Sequence, residues 1–496
     1  MNRGLRIGLI GVVVLVLAYP AAAWIIGMSV QHQELEREKV ALAHTPYLEV
    51  VNRDYRRGIY SSTEELTFKF GGAFLQNLPG ASQNGSGPFQ FTVRSHIHHG
   101  PLPQLRAFAP ATVDTEIVLP PEVQQKLTQI VGSQAHLTIH SQLKWSGGAT
   151  GVIHSTPFKS NIPDVGTFEW RGLDATGEIG REIGSQAGQC TAPGLIANTA
   201  RGNFNIEDVK VSSDLHLAFD DLAVGKVRFS VGHVAFDSSA QPNLKGDSRN
   251  ITIAADSSVS GDFVNTDVTF AIDSVELPKF SATQLVWETR MDHIHGPSMA
   301  GLNKDLTAAQ AEQLKASVPS DPNDPAAQQR QMEVAQKYVT AFQTYGLQIL
   351  GHEPVIELPR VGFKTADGDV MLSVKLEAPG ITPADVSGDP KTLAMTLPKF
   401  LQATVNVRID KPLLNKLVQQ TMSEPDMNEN VRQRLEQLEE QGYIKIDGDA
   451  LTTQITFMKG QLKINGLPFT PAALAPPQQP QHTPPGRKPS AKRAPH

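Results

Sequence analysis

Between Tyr47 and Ile294 apolar and polar residues alternate with a period of two, the spacing of strands with one buried and one solvated face. Tyr47–Tyr55 and Ile59–Phe70 flank Arg56-Arg57-Gly58, which reads as a hairpin with Gly58 at positive φ. Phe89, Phe91 and Val93 alternate with Gln90, Thr92 and Arg94 in a strand that ends at Gly100-Pro101. In Ala135–Trp145, Leu137, Ile139, Leu143 and Trp145 face one way, and His136, Thr138, His140, Gln142 and Lys144 the other. Further strands are predicted over Val152–Phe158, Val165–Leu173, Phe204–Phe219, Lys226–Phe236, Asn250–Val259, Asp262–Val275 and Thr283–Ile294. Turns rich in Gly, Asn, Asp and Ser separate them, so the pattern is a long antiparallel meander.

Helical spacing breaks in at a few places. Pro121–Val131 predicts a short helix, and Thr307-Ala-Ala-Gln310 reads as a capping box opening another. Pro319–Pro325 is a loop, after which Ala335, Tyr338, Val339, Phe342 and Tyr345 form one apolar stripe. Val355–Leu376 and Thr392–Ile409 return to strands. Helices then start at Asp410-Lys-Pro412, with Leu413, Leu414, Leu417 and Val418 inward, and over Asn428–Gln441, stopped by Gly442. Tyr443–Ile446 and Leu451–Phe469 close the sheet, and Thr470–His496, rich in proline, reads as a disordered tail.

One stretch has neither period. Gly8–Met28 carries no charge, and 21 helical residues reach about 31 Å, close to the bilayer core. Arg3 and Arg6 precede it, while Glu34, Glu36 and Glu38 outweigh Arg37 and Lys39 beyond it. By the positive-inside rule this predicts a single-pass inner-membrane protein with its N-terminus cytoplasmic and the bulk of the chain periplasmic. The competing reading is a cleaved signal peptide ending near Pro20-Ala21-Ala22-Ala23. The expected organisation is a stub at 1–7, a transmembrane anchor at 8–30, a juxtamembrane helix at 31–46, a β-rich domain at 47–469 with helical segments 305–350 and 411–441, and a Pro-rich tail at 470–496. The fold class is thus mainly β (α+β): an N-terminal transmembrane helix, then an elongated, twisted antiparallel sheet with helical insertions.

Charge narrows the partners. A net charge of −6 leaves no basic stripe for nucleic acid, and one cysteine, Cys190, excludes an intrachain disulfide and a cysteine metal cluster. Cys190 reads as a quiet, buried thiol.

Candidate chemistry is thin. His96, His98 and His99 precede Gly100-Pro101, and His293 and His295 precede Gly296-Pro297. Imidazoles at i and i+2 share a strand face and are able to clasp Zn or Cu, but a metal reading also wants a convergent carboxylate, and only Asp292 is adjacent. The preferred reading is a strand ending at a Gly-Pro turn, twice. His136 and His140 read as a solvated face. Arg56-Arg57-Gly58 beside Ser61-Ser62 is either an anion cradle or, as preferred, a locally hydrogen-bonded hairpin. No nucleophile elbow, zinc-protease helix, P-loop or dinucleotide fingerprint is present. No cofactor, metal ligand or catalytic residue is assigned.

Several segments resemble the YdgA-like family of bacterial envelope proteins, which carries a domain of unknown function. Tyr55-Arg56-Arg57-Gly58-Ile59-Tyr60-Ser61-Ser62 is similar to that family's aromatic-x-Arg-Gly-aliphatic-aromatic-Ser-Ser signature, and His99-Gly100-Pro101 to its His-Gly-Pro segment. Gly448–Ile455 and Gly460–Phe469, including Gly460, Asn465 and Gly466, are also of its kind. The resemblance implies an inner-membrane-anchored periplasmic protein and a homodimer, with no established activity. Helices 305–350 and 411–441 are too few to cover so many one-faced strands. The expected function is therefore non-enzymatic: binding of a lipid or other apolar ligand in a sheet groove, by fold-level analogy with AsmA-like proteins. The alternatives are a dimeric protein-interaction scaffold and, behind it, a metal-dependent or hydrolase-type enzyme. Expected partners are the bilayer, an acyl-chain ligand and a second copy, with no nucleic acid.

Overall fold

The computed structural model describes residues 19–32, 35, 48–70, 90–131, 137–316, 325–421 and 425–469, less 164, 182–184, 221, 242 and 389. The described strands join one antiparallel sheet, as the period of two demands. In chain order these are β1 (Leu48–Arg57), β2 (Ser61–Phe70), β3 (Gln90–His99), β4 (Ala111–Val118), β5 (Leu137–Leu143) and β6 (Ala149–Ser155). There follow β7 (Phe158–Ile162), β8 (Gly166–Trp170), β9 (Leu173–Ile179), β10 (Gln186–Thr199), β11 (Gly202–Phe219), β12 (Leu222–Ser238), β13 (Lys245–Ser260), β14 (Phe263–Leu277) and β15 (Phe280–His295). Beyond the helical insertion lie β16 (Val355–Thr365), β17 (Gly368–Glu377), β18 (Gln402–Asp410), β19 (Lys445–Asp447), β20 (Ala450–Met458), β21 (Gln461–Ile464) and β22 (Leu467–Pro468).

Neighbours in sequence are mostly neighbours in space. One departure is a detour in which β7 and β8 loop out, so that β9 pairs with β6 on one side and β10 on the other, and a second is β20, which pairs with β18 as well as with β19. Strand β10 is long enough to pair with β8 and β9 end to end. No sequence pattern marked β10, because Gly188, Pro193 and Gly194 break it. Pro193 lacks a backbone donor and falls where β10 passes from β9 to β8, between the pairs Thr191↔Asp174 and Leu195↔Trp170. Val152–Phe158 and Val165–Leu173 are each divided between two strands for the same reason.

The helices are α1 over 19–32, α2 (Pro121–Val131), α3 (Gly296–Ala316), α4 (Pro325–Ala341), α5 (Leu347–Leu350), α6 (Pro390–Phe400), α7 (Lys411–Thr421) and α8 (Pro425–Glu440). Helix α2, the start of α7 and the stop of α8 at Gly442 (φ 75°) agree with the sequence pattern. Other expectations need correction. The capping-box Thr307 lies inside α3, which begins at Gly296. The Gly296-Pro297 pair therefore opens a helix, where proline's missing N–H costs nothing, and is not a second turn. Along α4 the buried stripe is Val334 and Ala341, while Val339 and Phe342 are exposed, so the expected stripe is one position out of phase. Residues 392–400 belong to α6, not to a strand. Residues 36–47, the 319–324 loop and the tail from 470 lie outside the described residues.

The transmembrane helix is the largest correction. Among the described residues no helix is long and apolar enough to cross a membrane. Residues 8–18 lie outside the described residues, but the rest of the expected span, α1, packs on the sheet. Ala23 is 0% and Val30 1% exposed, and Val30 belongs to a core with Ile97, Ala111, Val113 and Leu143. Small residues permit this close seat: a Cβ on Gly27 would stand 2.7 Å from the His99 ring. Of the apolar character read as lipid-facing, the Ala23, Gly27 and Val30 face of α1 fills a core between helix and sheet, while Trp24, Ile25 and Met28 remain exposed.

Candidate functional site: a bare trough on the apolar sheet face

Residues directly opposite each other in antiparallel strands share a face, so the register defines rows across the sheet. One row runs Ile139, Ile153, Ala175, Cys190, Val211, Phe229, Ile253, Phe270, Trp287, Val361, Leu372 and Val407, from β5 to β18. Every member is apolar. Rows on the opposite face are mostly polar and carry cross-strand ion pairs such as Lys226–Asp256 at 3.2 Å and Arg290–Asp267 at 2.9 Å. The apolar face is covered at one end by α1. Farther along, Val211 and Phe270 are each 37% exposed and Trp287 50%.

Beside the covered end the face is hollowed. The next row on the same face is Ser141, Gly151, Gly177, Gly188 and Ser213, one small residue from each of β5, β6, β9, β10 and β11. One wall is Ile139, Ile153, Ala175, Cys190 and Val211. Its counterpart is Leu143, Ala149, Ile179, Gln186 and Leu215. At one end the floor row meets Val113, which is buried in the core beneath α1. At the other it meets Val227. Six strand spacings separate these stops, about 29 Å at roughly 4.8 Å each. The walls stand four residues apart along each strand, about 13 Å between backbones. The part over β5, β6 and β9 forms an open cavity of about 270 Å³.

The three glycines do not serve the backbone. None has positive φ. A Cβ would come no closer than 3.5 Å to its neighbours at Gly151 and 3.6 Å at Gly177, ordinary contacts, and 3.1 Å at Gly188. Glycine inside a strand forfeits about 0.5–1 kcal/mol relative to alanine and leaves nothing to pack. Bare floor between walls that are apolar except at Gln186 is the feature these residues create.

The motif residues read from the sequence fall into two places. Ser62 and His99, 3% and 1% exposed, meet beneath α1. Because a carbonyl only accepts, His99 Nδ1–H donates to Ala23 O (3.0 Å), and Nε2 accepts from Ser62 Oγ–H (3.1 Å). Burial pushes the His99 pKa down, which keeps this neutral tautomer. Gly100 (φ 135°) leaves room for Tyr19 and Ala23, and Pro101 follows it into the β3–β4 turn. Arg57 lies over the Trp24 ring at 4.0 Å and Tyr55 packs against the same core. Gly58 is not at positive φ. It is needed because a Cβ would lie 2.8 Å from Ser61 O, where Gly58 N–H also donates to Ser61 O. With Arg56 paired to Asp54, these residues do not form an anion cradle; they fasten α1 to the sheet.

Gly460, Asn465 and Gly466 lie in the turns bounding β21, at φ of 75°, 50° and 85°. Asn465 Nδ2 donates to Gly442 O (2.9 Å), tying that turn to the end of α8. A larger concavity, about 480 Å³, lies there on the polar side among Ser373, Asn406, Arg408 and Gln454. Its amides satisfy one another, Asn406 Nδ2 donating to Ser373 Oγ and Gln454 Nε2 to Asn406 Oδ1.

The remaining described histidines lie apart from one another or in stacked, locally bonded pairs. Among the described residues no group of three His, Cys, Asp or Glu is placed to hold a metal ion. Asp114, from β4, supplies the carboxylate near His98 (3.8 Å) and pairs with His140 (2.8 Å). Its strand separation from His98 hid it from sequence reading, and His136 lies outside the described residues. His293 stacks on Phe263 at 3.7 Å and His295 on His352 at 4.0 Å. Each donates Nδ1–H locally, to His352 O, Ser298 Oγ and Gln348 O for His293, His295 and His352. Asp292 pairs in the ladder with Val355 instead of joining them. Cys190 is half-buried in the trough wall.

The model of one family, described as a bacterial protein of unknown function (DUF945), matches residues 1–472. No curated protein and no solved structure matches the chain.

Proposed function

This chain belongs to the DUF945 family of bacterial proteins, and we propose that it binds an unbranched apolar chain, the acyl part of a lipid, in the trough. The YdgA-like kinship read from the motifs is the finer part of the same proposal. The observation that carries it is the glycine-floored row between mainly apolar walls, where φ requires none of the three glycines and, at Gly151 and Gly177, close packing does not require one either. A trough one residue row wide and five strands long accepts a polymethylene chain and excludes a ring system or a helix. Each buried methylene contributes about 0.8 kcal/mol. About ten of them, half-covered in an open trough, give roughly 4 kcal/mol before the cost of association, so binding is weak and exchangeable unless the headgroup adds to it.

Binding, not catalysis, is the proposed role, and export of the bulk chain is the proposed location. Native mass spectrometry and lipid extraction of the full-length protein test the ligand. The expected result is an acyl-bearing lipid on the wild type, and at least about tenfold lower occupancy in Gly177→Leu, whose side chain fills the floor. A wild type that is lipid-free and takes up no palmitate rejects the proposal. Dimers without lipid would favour the scaffold reading.

A further inference from the structure

The turns at the α1 end of strands β1–β6 carry a second apolar feature, separate from the trough. Leu105 is 81% and Phe108 73% exposed in the turn between β3 and β4. Gln104 and Leu105 there both adopt positive φ, 53° and 59°, a backbone state that non-glycine residues rarely hold. A strained turn that presents a leucine to solvent adds nothing to a core, which points to an external contact. Phe108 lies 5.6 Å from Trp145, in the β5–β6 turn, and Ile59 and Tyr60 of the β1–β2 turn are each half exposed. The β-ladder registers put these turns at one end of the sheet: Ser61 is opposite His98, His99 opposite Ala111, Thr112 opposite Gln142 and Leu143 opposite Ala149.

Two further observations say what covers this end. The chain enters α1 here, with Tyr19 stacked on Tyr60 at 5.9 Å and its hydroxyl donating to Leu102 O at 2.7 Å, directly after the uncharged residues 8–18. The cations at this end also outnumber their local acids. Arg56 pairs with Asp54 and Lys144 with Glu178, whereas the exposed Arg106 and Arg181 make no ion pair among the described residues. Aromatic and aliphatic side chains interleaved with arginine match the boundary between anionic headgroups and acyl chains.

We propose that this end of the sheet seats on the surface of an anionic phospholipid bilayer, with Leu105, Phe108 and Trp145 entering the interface and Arg106 and Arg181 facing phosphate. No spanning helix is required, and the trough can be empty or filled. Co-sedimentation of the full-length protein with phosphatidylglycerol–phosphatidylcholine vesicles, against phosphatidylcholine alone, is the test. The expected result is binding to the anionic vesicles, reduced at least about tenfold in Leu105→Ser/Phe108→Ser and made less salt-sensitive in Arg106→Gln/Arg181→Gln. Leu105→Asp alone, at the most exposed position, gives the same loss should the double variant unfold. Gly177→Leu binds vesicles like wild type, which separates this seat from the trough. Unchanged binding in Leu105→Asp, equal binding to neutral vesicles, or no binding by the wild type overturns the proposal. So does self-association in solution that the same substitution abolishes, which would assign the patch to a second copy of the chain.

Discussion

Two regions of one apolar sheet face are built alike and live in different surroundings. Under α1, Ile97 and Leu143 are 1% and 2% exposed, held by Val30 from above. Along the same face, Ile253 is 41% and Trp287 50% exposed. The strands under both regions are antiparallel, paired in register and apolar on one side. Only the cover differs. A period-two pattern specifies which face avoids water, and leaves open whether helix, lipid or another molecule meets it.

The sharpest way to break this comparison is to truncate one residue in each region. Leu143→Ala opens a cavity in a closed core and is expected to lose about 2–5 kcal/mol in urea unfolding. Ile253→Ala, at a half-exposed position, is expected to lose under about 1 kcal/mol. Equal losses would show that the middle of the face is covered after all. Next in size is Gly27→Val, which drives a side chain into the His99 ring now 2.7 Å from the Cβ position. We expect about 1–3 kcal/mol lost, and cleavage within α1 at a protease concentration that spares the wild type.

A smaller effect follows pH. Burial lowers the His99 pKa in the folded protein, so the unfolded chain binds the proton first as pH falls. Stability is therefore complete above the ordinary histidine value and declines as pH drops from there toward the depressed one, by at most about 1.4 kcal/mol per pH unit. His295, depressed by burial and by His352, adds a decline of the same sign. His99→Asn retains a donor for the Ala23 carbonyl and is expected to flatten part of the slope, as followed by unfolding midpoints across the acid range. A slope unchanged in that variant would remove His99 from the clasp's titration. The smallest effect is at the trough floor. Gly177→Ala replaces a mid-strand glycine without a clash and is expected to raise stability by about 0.5–1 kcal/mol, a gain that a purely structural role for the glycine would turn into a loss.

Much of the fold was legible because strands β11–β15 alternate cleanly and their turns are marked. Strand β10 was not, since its glycines and Pro193 deny it any period. Residues 392–400 alternate well enough to read as a strand, yet Pro390 opens a helix whose Leu393, Leu397 and Phe400 pack around Ile381. The apolar N-terminal stretch misled for a different reason: an alanine- and glycine-rich hydrophobic helix suits a bilayer and a sheet face equally, and hydropathy alone does not choose. The trough was beyond sequence reading altogether. Gly151, Gly177 and Gly188 look like turn residues in the chain, and become a floor only when the register of three strands, β6, β9 and β10, is known. The histidine–serine clasp had a signal, the His99-Gly100-Pro101 and Ser61-Ser62 motifs. Its partner, Ala23, was assigned to the membrane.

The central claim is that the uncovered part of the apolar face holds an acyl chain along one defined row. Photo-crosslinking of the full-length protein with a diazirine-labelled palmitate, followed by peptide mapping, tests this directly. The account predicts adducts concentrated on β5, β6, β9, β10 and β11, at wall positions such as Ile153, Ile179 and Val211, and lost in Gly177→Leu. Adducts scattered over the surface, or unchanged in that variant, would contradict it.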